Sequence, residues 1–299
     1  ANGIADDLIS TTLLATPRPI VIAPAMNNGM WKAPATQANM ATLRDRGVHV
    51  VGPGSGYLAC GDVDTGRMSE PEDIVEAVCR VLNPVPQDLA GKRIVITAGP
   101  TREPIDPVRF IGNRSSGKMG IALAGEAARR GAAVTLVLGP TSLDVPRGVA
   151  CVSVQTAAEM LQAALSAFQT ADAAICAAAV ADYTPATTAD HKLKKANERL
   201  DRIELVETVD ILAELSRQKG ERCVIGFAAE TDNVVEYAEH KLARKGCDVI
   251  IANDVSRADS GFGTDTNKAW IVSTTGTQEL PVLTKPQLAD TILDLLQNL

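Results

Sequence analysis

Residues 93–131 read RIVITAGPTREPIDPVRFIGNRSSGKMGIALAGEAARRG. The run IVITA is short, apolar and rich in β-branched residues, which reads as a strand buried on both faces. SGKMGIALAGEAARRG then has helical apolar spacing and stops at Gly131. AVTLVLGP follows at once as another buried strand. Strand, helix, strand in this order is the repeating unit of a parallel sheet covered by helices. Inside the stretch, Gly112, Gly117 and Lys118 fall where a phosphate-binding GxxxxGK[ST] loop would put them. Met119 stands where a hydroxyl should hold Mg²⁺, and the strand ends near Ala98, too far upstream, so that loop is rejected. Two readings stay open: Ser115, Ser116 and Gly117 as an anion-accepting helix start, or a Ser-capped helix packed on the sheet through Gly117 and Gly120.

The pattern continues downstream. A helix is expected from about Thr156, a strand over 173–183, a helix near 209–218, a strand over 223–230 and a helix over 233–246. A strand over 248–254, a terminal hairpin and a closing helix from Lys285 complete it. Upstream, residues 1–15 read as a helix with no Met before it, as though the sequence begins inside a domain. A strand at PIVIAPAM, a helix at 34–47, a strand at VHVVGP and a Gly-rich loop over 54–68 follow. Ser69 and Glu72 form a capping-box pattern before another helix. NPVPQDLAGK interrupts the periodicity. The organisation expected is a segment over 1–82, a linker over 83–91, and a Rossmann-like doubly wound, mostly parallel sheet over 92–299.

The 299 residues carry a net charge of −7, with 45% hydrophobic, 22% charged and 3% aromatic content. That balance predicts a packed α/β core and argues against a general nucleic-acid or anionic-membrane binder. Six cysteines form no CxxC pair, and three histidines complete no metal-ligand spacing. Cys151, Cys176 and Cys223 sit in apolar runs and read as buried small hydrophobes. A reducing, cytoplasmic setting fits. No long apolar run or signal-peptide pattern occurs.

In such sheets ligands bind beyond the carboxyl ends of the strands. Asp182 follows a strand in AAAVADY. Lys192, Lys194 and Lys195 form a charge run that is either a phosphate site or a solvated face. Lys241 and Lys245 share one helical face, where they also suit the helix C-terminus. Asn27, in PAMNNGMW, is placed to bond a carboxylate or a flavin edge. Cys60, in LACGD, is a candidate nucleophile or acid, or a half-buried structural thiol.

Together these stretches resemble the bacterial bifunctional phosphopantothenoylcysteine decarboxylase/phosphopantothenate–cysteine ligases of coenzyme A synthesis. PAMNNGMW and ACGDVDTGRM resemble the decarboxylase substrate motif and clamp loop. ITAGPTREPIDPVRFIGNRSSGKMG, AAAVADY, KLKK, GFAAET and IANDVS resemble the ligase signature in family order, so the likeness covers essentially the whole chain. It implies that residues 1–82 are the back part of a flavodoxin-like decarboxylase whose flavin-phosphate loop and catalytic His lie upstream. His49, after the PAMN motif, does not match that His.

The resemblance also implies the chemistry. The carboxylate of 4′-phosphopantothenate attacks the α-phosphate of CTP to give an acyl-cytidylate and pyrophosphate, and the cysteine amine then displaces CMP. Asn113 matches a contact to the intermediate, Arg109 an arginine of the second step, and Lys192 an essential lysine near the CTP phosphates. Asp182 and Phe227 match nucleotide contacts, with the backbone of Cys176, Ala177, Ala178 and Ala179 and of Ala228, Ala229 and Glu230 nearby. Lys241 and Lys245 match triphosphate lysines. Mg²⁺ is expected with CTP, with no ligand set legible. In the decarboxylase, which uses FMN, Asn27 would bind the substrate carboxylate and Cys60 would supply a proton. A homo-oligomer is expected, with a dimer of ligase domains. The competing reading is a non-catalytic flavin- or nucleotide-binding regulatory module, which has little reason to keep Asn113, Lys192, Lys241 and Lys245 together. An NAD-dependent dehydrogenase is disfavoured because no GxGxxG follows the first strand.

Overall fold

The computed structural model describes residues 1–57, 63–82, 84–194, 201–257, 259–261 and 263–297. The chain divides into two units, Ala1–Val85 and Pro86–Leu299.

The first unit runs α1 (Leu8–Ala15), β1 (Val21–Ile22), α2 (Asn28–Lys32), α3 (Pro34–Asp45), β2 (His49–Val50), β3 (Gly54–Tyr57), β4 (Val63–Arg67) and α4 (Pro71–Leu82). β1 and β2 pair in parallel, and β3 and β4 antiparallel. The stretch read as a Gly-rich loop over 54–68 is therefore two paired strands flanking 58–62. Gly66 makes this possible. A Cβ there would stand 2.3 Å from the Met26 carbonyl oxygen, and the Met26 N–H donates to the Gly66 carbonyl at 2.9 Å. The expected Ser69–Glu72 capping box is displaced. The Ile74 N–H bonds the Glu70 carbonyl, so Glu70 holds the N-cap position and Pro71 opens the helix. Among the described residues of this unit, Met40 is the one buried apolar side chain, while Leu8, Ile9, Leu14, Val75 and Leu82 are exposed.

The second unit runs β5 (Arg93–Ala98), β6 (Arg102–Pro104), β7 (Phe110–Gly112), α5 (Lys118–Arg129), β8 (Ala133–Leu138), β9 (Ala150–Ser153), α6 (Ala157–Phe168), β10 (Ala173–Cys176), β11 (Tyr183–Pro185) and β12 (Leu205–Glu207). It continues through α7 (Ile211–Arg217), β13 (Cys223–Glu230), α8 (Val234–Lys245), β14 (Val249–Asp254), β15 (Thr266–Ser273), β16 (Gly276–Thr284) and α9 (Lys285–Asp294). Eight strands form one sheet in the order β16-β15-β14-β13-β10-β5-β8-β9, parallel except for β15 and β16. The chain begins the sheet at β5 and steps out to β8 and β9. It then returns past β5 to lay down β10, β13 and β14. Winding reverses between β5 and β10, which opens a ligand crevice at their carboxyl ends.

Period-two alternation in β5 decides the layers. Ile94, Ile96 and Ala98 join a core with Leu123, Ala127, Leu288 and Ile292 of α5 and α9. Val95 joins another with Met160, Ala164 and Phe168 of α6, extended by Leu212 and Leu215 of α7 and Leu242 of α8. Each fully buried Leu, Ile or Phe contributes about 1.5–3 kcal/mol. α5 lies close on β5 because Gly120 has no side chain: a Cβ there would stand 2.3 Å from the Ala98 Cβ. Thr156 and Glu159 form a capping box that starts α6.

Three expectations are corrected. The strand read over 173–183 stops at Cys176. From Ala177 the chain bonds laterally to the loop after β5, with Ala179 N–H donating to the Gly99 carbonyl at 2.9 Å. Cys151 is exposed, because β9 is the edge strand and none of its residues is covered. In the stretch read as a linker, Leu89 is fully buried, and Asp88 pairs with the buried Arg130 at 2.5 Å. Arg130 also reaches Asp290 at 3.1 Å and Asp294 at 2.8 Å, and the Gln297 side-chain amide donates to Asp88 at 2.8 Å. Residues 88–91 thus pack as part of the second unit.

Candidate functional site

The loops after β5, β10 and β13 and the inner face of α8 meet at the carboxyl edge of the sheet. Two adjoining cavities lie there, of about 410 and 400 Å³, within the size range of small-molecule sites. Both are bordered by Ala178, Val180, Asp182, Phe227 and Lys241. The first adds Cys176, Asp210 and Lys245. The second adds Asn113, the start of α5, and Ala177, Ala179, Ala228 and Ala229.

The loop after β10 is held by its own N–H groups. Ala177 donates to the Thr97 carbonyl at 3.1 Å, Ala178 to the Thr97 hydroxyl at 3.4 Å and Ala181 to the Thr101 hydroxyl at 3.0 Å. With these donors engaged, the alanines give the cavities room rather than an anion nest. Burial pushes the Cys176 thiol up to about 12, so it stays protonated.

Positive charge comes from α8. The Lys241 ammonium donates to the Phe227 carbonyl at 2.8 Å. Burial lowers its pKa, against the opposing pull of Glu230 and Asp210. Lys245 pairs with Asp210, whose carboxylate also accepts the Ala213 N–H at 2.9 Å and caps α7. Burial works against the Asp210 charge, but Lys245 and that N–H overcome it and hold the carboxyl below its usual range. An anion entering between these lysines meets charge already positioned.

The Asn113 amide donates to the Val180 carbonyl at 2.9 Å, tying the start of α5 to the β10 loop. Arg109 and Lys192 border neither cavity. Arg109 is bound to Asp106, with Nε to carboxylate at 3.0 Å, and it donates to the Leu193 carbonyl at 2.9 Å. Lys192 is exposed beside Leu193. Glu230 ends β13, and its carbonyl accepts the Val255 N–H at 2.9 Å. In the first unit Asn27 caps α2 by accepting the Gly29 N–H at 2.8 Å. Neighbouring Asn28 reaches Asp64 of β4 at 2.9 Å. Cys60 and Lys195 lie outside the described residues.

Lys118 borders the second cavity, but its ammonium is already engaged. It donates to Asp265 at 2.7 Å and to the Gly263 carbonyl at 2.8 Å. Asp210 and Lys285 were missed as site residues. Asp210 was legible only as a helix-start aspartate before an apolar run. Lys285 reaches the second cavity from α9, with Asn267 and the Gly261 carbonyl as its acceptors, and no local pattern signals that.

The pattern of the DNA/pantothenate metabolism flavoprotein C-terminal domain matches residues 89–299, and that of the flavoprotein family residues 1–83. The coenzyme A biosynthesis bifunctional protein CoaBC of Bacillus subtilis (strain 168) is 50% identical over 296 residues, covering 98% of this chain and 73% of that protein. The Escherichia coli (strain K12) protein of the same name is 49% identical over 297 residues, again 98% and 73% of the two chains. The crystal structure of the C-terminal domain of a CoaBC protein is 46% identical, with a TM-score of 0.61 over 71% of this chain and 97% of that one. Half the residues are shared along nearly its whole length, and the two domain patterns match residues 1–83 and 89–299. The chain therefore belongs to the CoaBC family of bifunctional coenzyme A biosynthesis proteins.

Proposed function

We propose that the second unit joins 4′-phosphopantothenate to cysteine at the expense of CTP, as a phosphopantothenate–cysteine ligase. The observation that carries this reading is the pair of adjoining cavities at the switch point, bordered by Asn113, Asp182, Phe227, Lys241 and Lys245. A nucleoside triphosphate there finds two lysines on one helix face and small side chains at the loop that approaches it. The substrate carboxylate attacks the α-phosphorus, and pyrophosphate leaves. The cysteine amine then attacks the acyl carbon, loses a proton, and CMP leaves. The substrates supply the nucleophile of each step, so the work left to the chain is alignment and charge neutralisation. Lys241 and Lys245 neutralise the triphosphate, Lys192 meets its phosphates from the loop, and Asn113 contacts the acyl-cytidylate. Among the described residues no group of three or more His, Cys, Asp or Glu comes together. A Mg²⁺ entering with CTP would be held mainly by phosphate oxygens and water, and would neutralise part of the triphosphate charge.

The decarboxylation proposed for the bifunctional protein needs FMN, and it belongs with residues 1–83, where Asn27 and Cys60 match the family's residues. Met40 is the one buried apolar side chain described there. Among the described residues there, one covered apolar side chain does not by itself enclose an isoalloxazine ring. We infer a homo-oligomer from the exposed apolar side chains of Val108, Phe110, Tyr183, Leu205 and Val206 on and beside the hairpins β6–β7 and β11–β12. Among the described residues no helix is long and apolar enough to cross a membrane; the setting proposed is cytoplasmic.

The test is pyrophosphate release by the full chain with CTP, Mg²⁺, 4′-phosphopantothenate and cysteine. Absence of release overturns the ligase assignment. Lys192→Ala is expected to abolish turnover with the fold intact, and normal turnover would remove the role given to that lysine.

A further inference from the structure

Arg109 and Lys192 are expected site residues that border neither cavity, and one carboxylate ties Arg109 to the residue that follows Lys192. The Asp106 side chain is fully buried. One of its oxygens accepts the N–H groups of Val108 and Arg109, each at 2.8 Å, which closes the turn of IDPVR. The other accepts Arg109 Nε at 3.0 Å and the Leu193 N–H at 3.2 Å. Arg109 in turn donates to the Leu193 carbonyl at 2.9 Å. The Asp106–Arg109 pair therefore holds Leu193 by both of its backbone groups. Two more bonds run alongside: the Ala189 N–H to the Ile105 carbonyl at 3.0 Å, and the Thr188 hydroxyl to the Pro104 carbonyl at 3.0 Å.

A peptide is planar. The N–H of Leu193 lies in the same plane as the Cα of Lys192, so fixing one restricts the other. We propose that Asp106 is a positioning residue for the ligase reaction, acting through Leu193 to fix where Lys192 starts and through Arg109 to lock the following peptide. Arg109 has its guanidinium committed to this clamp, so its influence on turnover runs through the lysine loop. The inference rests on the role proposed above for Lys192. A lysine carries several freely rotating bonds, and anchoring its backbone removes part of the search that would otherwise precede each turnover.

Asp106→Asn separates the two jobs of the carboxylate. Its remaining oxygen can still close the 106–109 turn, but the oxygen that accepts from Arg109 and Leu193 is lost. In the full chain, this variant is expected to lose amide hydrogen-exchange protection at Leu193. Its pyrophosphate release should slow by about a hundredfold, the scale of an ångström-level misplacement. Added to Lys192→Met, whose trace of pyrophosphate release is read in single turnover with enzyme in excess, it should slow that trace by less than about twofold, because coupled residues are not additive. Unchanged protection at Leu193, or a further large loss in the double variant, overturns the proposal. A slow Lys192→Met beside a normal Asp106→Asn overturns this inference alone. Normal turnover in Lys192→Met overturns the role of Lys192, and this inference with it. Should Asp106→Asn not fold, Arg109→Lys leaves Asp106 paired but breaks the fork to Leu193. It is expected to give the same pattern at smaller amplitude, and unaltered Leu193 exchange and turnover in it would equally overturn the clamp.

Discussion

In the second unit, Ile94 and Ile96 lie fully covered among Leu123 and Ile292. In the first, Leu8, Ile9 and Leu14 of α1 and Val75 and Leu82 of α4 remain exposed. Both units have capped helices and paired strands. α1 has a capping box built on Asp7 and Ser10, as α6 has one on Thr156 and Glu159. Capping and local spacing make helices in both, but among the described residues only the second unit closes apolar side chains over one another. Secondary structure is thus a local property here, while cooperative stability depends on layers meeting across a sheet.

The sharpest way to break this contrast is to separate the units. Residues 86–299 expressed alone are expected to melt in one cooperative transition, followed by calorimetry, and to keep pyrophosphate release. Residues 1–85 alone are expected to show no cooperative transition, and a sharp one would refute the contrast. Next in size, Leu123→Ala should cost about 2–5 kcal/mol, whereas Leu8→Ala on exposed α1 should stay within about 0.5 kcal/mol. Thermal melts of the two variants measure this directly, and similar losses in both would count against it.

A third test asks whether the covered unit also pre-positions charge. Lys241→Met keeps the length of the side chain but removes the ammonium. CTP affinity, measured by titration calorimetry, should fall about a hundredfold, and a loss under threefold would show that this half-buried lysine does not hold the triphosphate. The smallest effect concerns Lys285, whose pKa is pushed down to about 8, first by burial and then by Lys118. The unfolded chain keeps that proton to about pH 10.4. Between those values the unfolded state binds more protons, so the stability contributed by this residue rises with pH. The melting temperature of the wild type relative to Lys285→Met should therefore move up by a few degrees or less between about pH 7 and 9.5. A downward shift would contradict the sign.

β5, β8, β13 and β14 were legible because each is an apolar run bounded by turn residues, and their alternation with helices carried the sheet. β9 was not legible, since an edge strand with no covered face has no apolar signature. The short pairs β6–β7 and β11–β12 were hidden by proline and by brevity. At the site, family resemblance supplied the residue types, but spacing cannot say what a side chain reaches 84 positions away, as Arg109 does at Leu193. For the same reason Lys118, which gave GNRSSGKM its P-loop look, was misleading: its partner Asp265 lies 147 residues downstream.

The bond between Asp88 and Gln297 has a wider consequence. It brings the entrance and the exit of the second unit to one spot, at the amino edge of the sheet, while the cavities open at the carboxyl edge. A module whose two ends share a doorway opposite its working face can be spliced behind another domain, excised, or circularly permuted by linking those ends. Its chemistry can then be carried from chain to chain with the site left undisturbed.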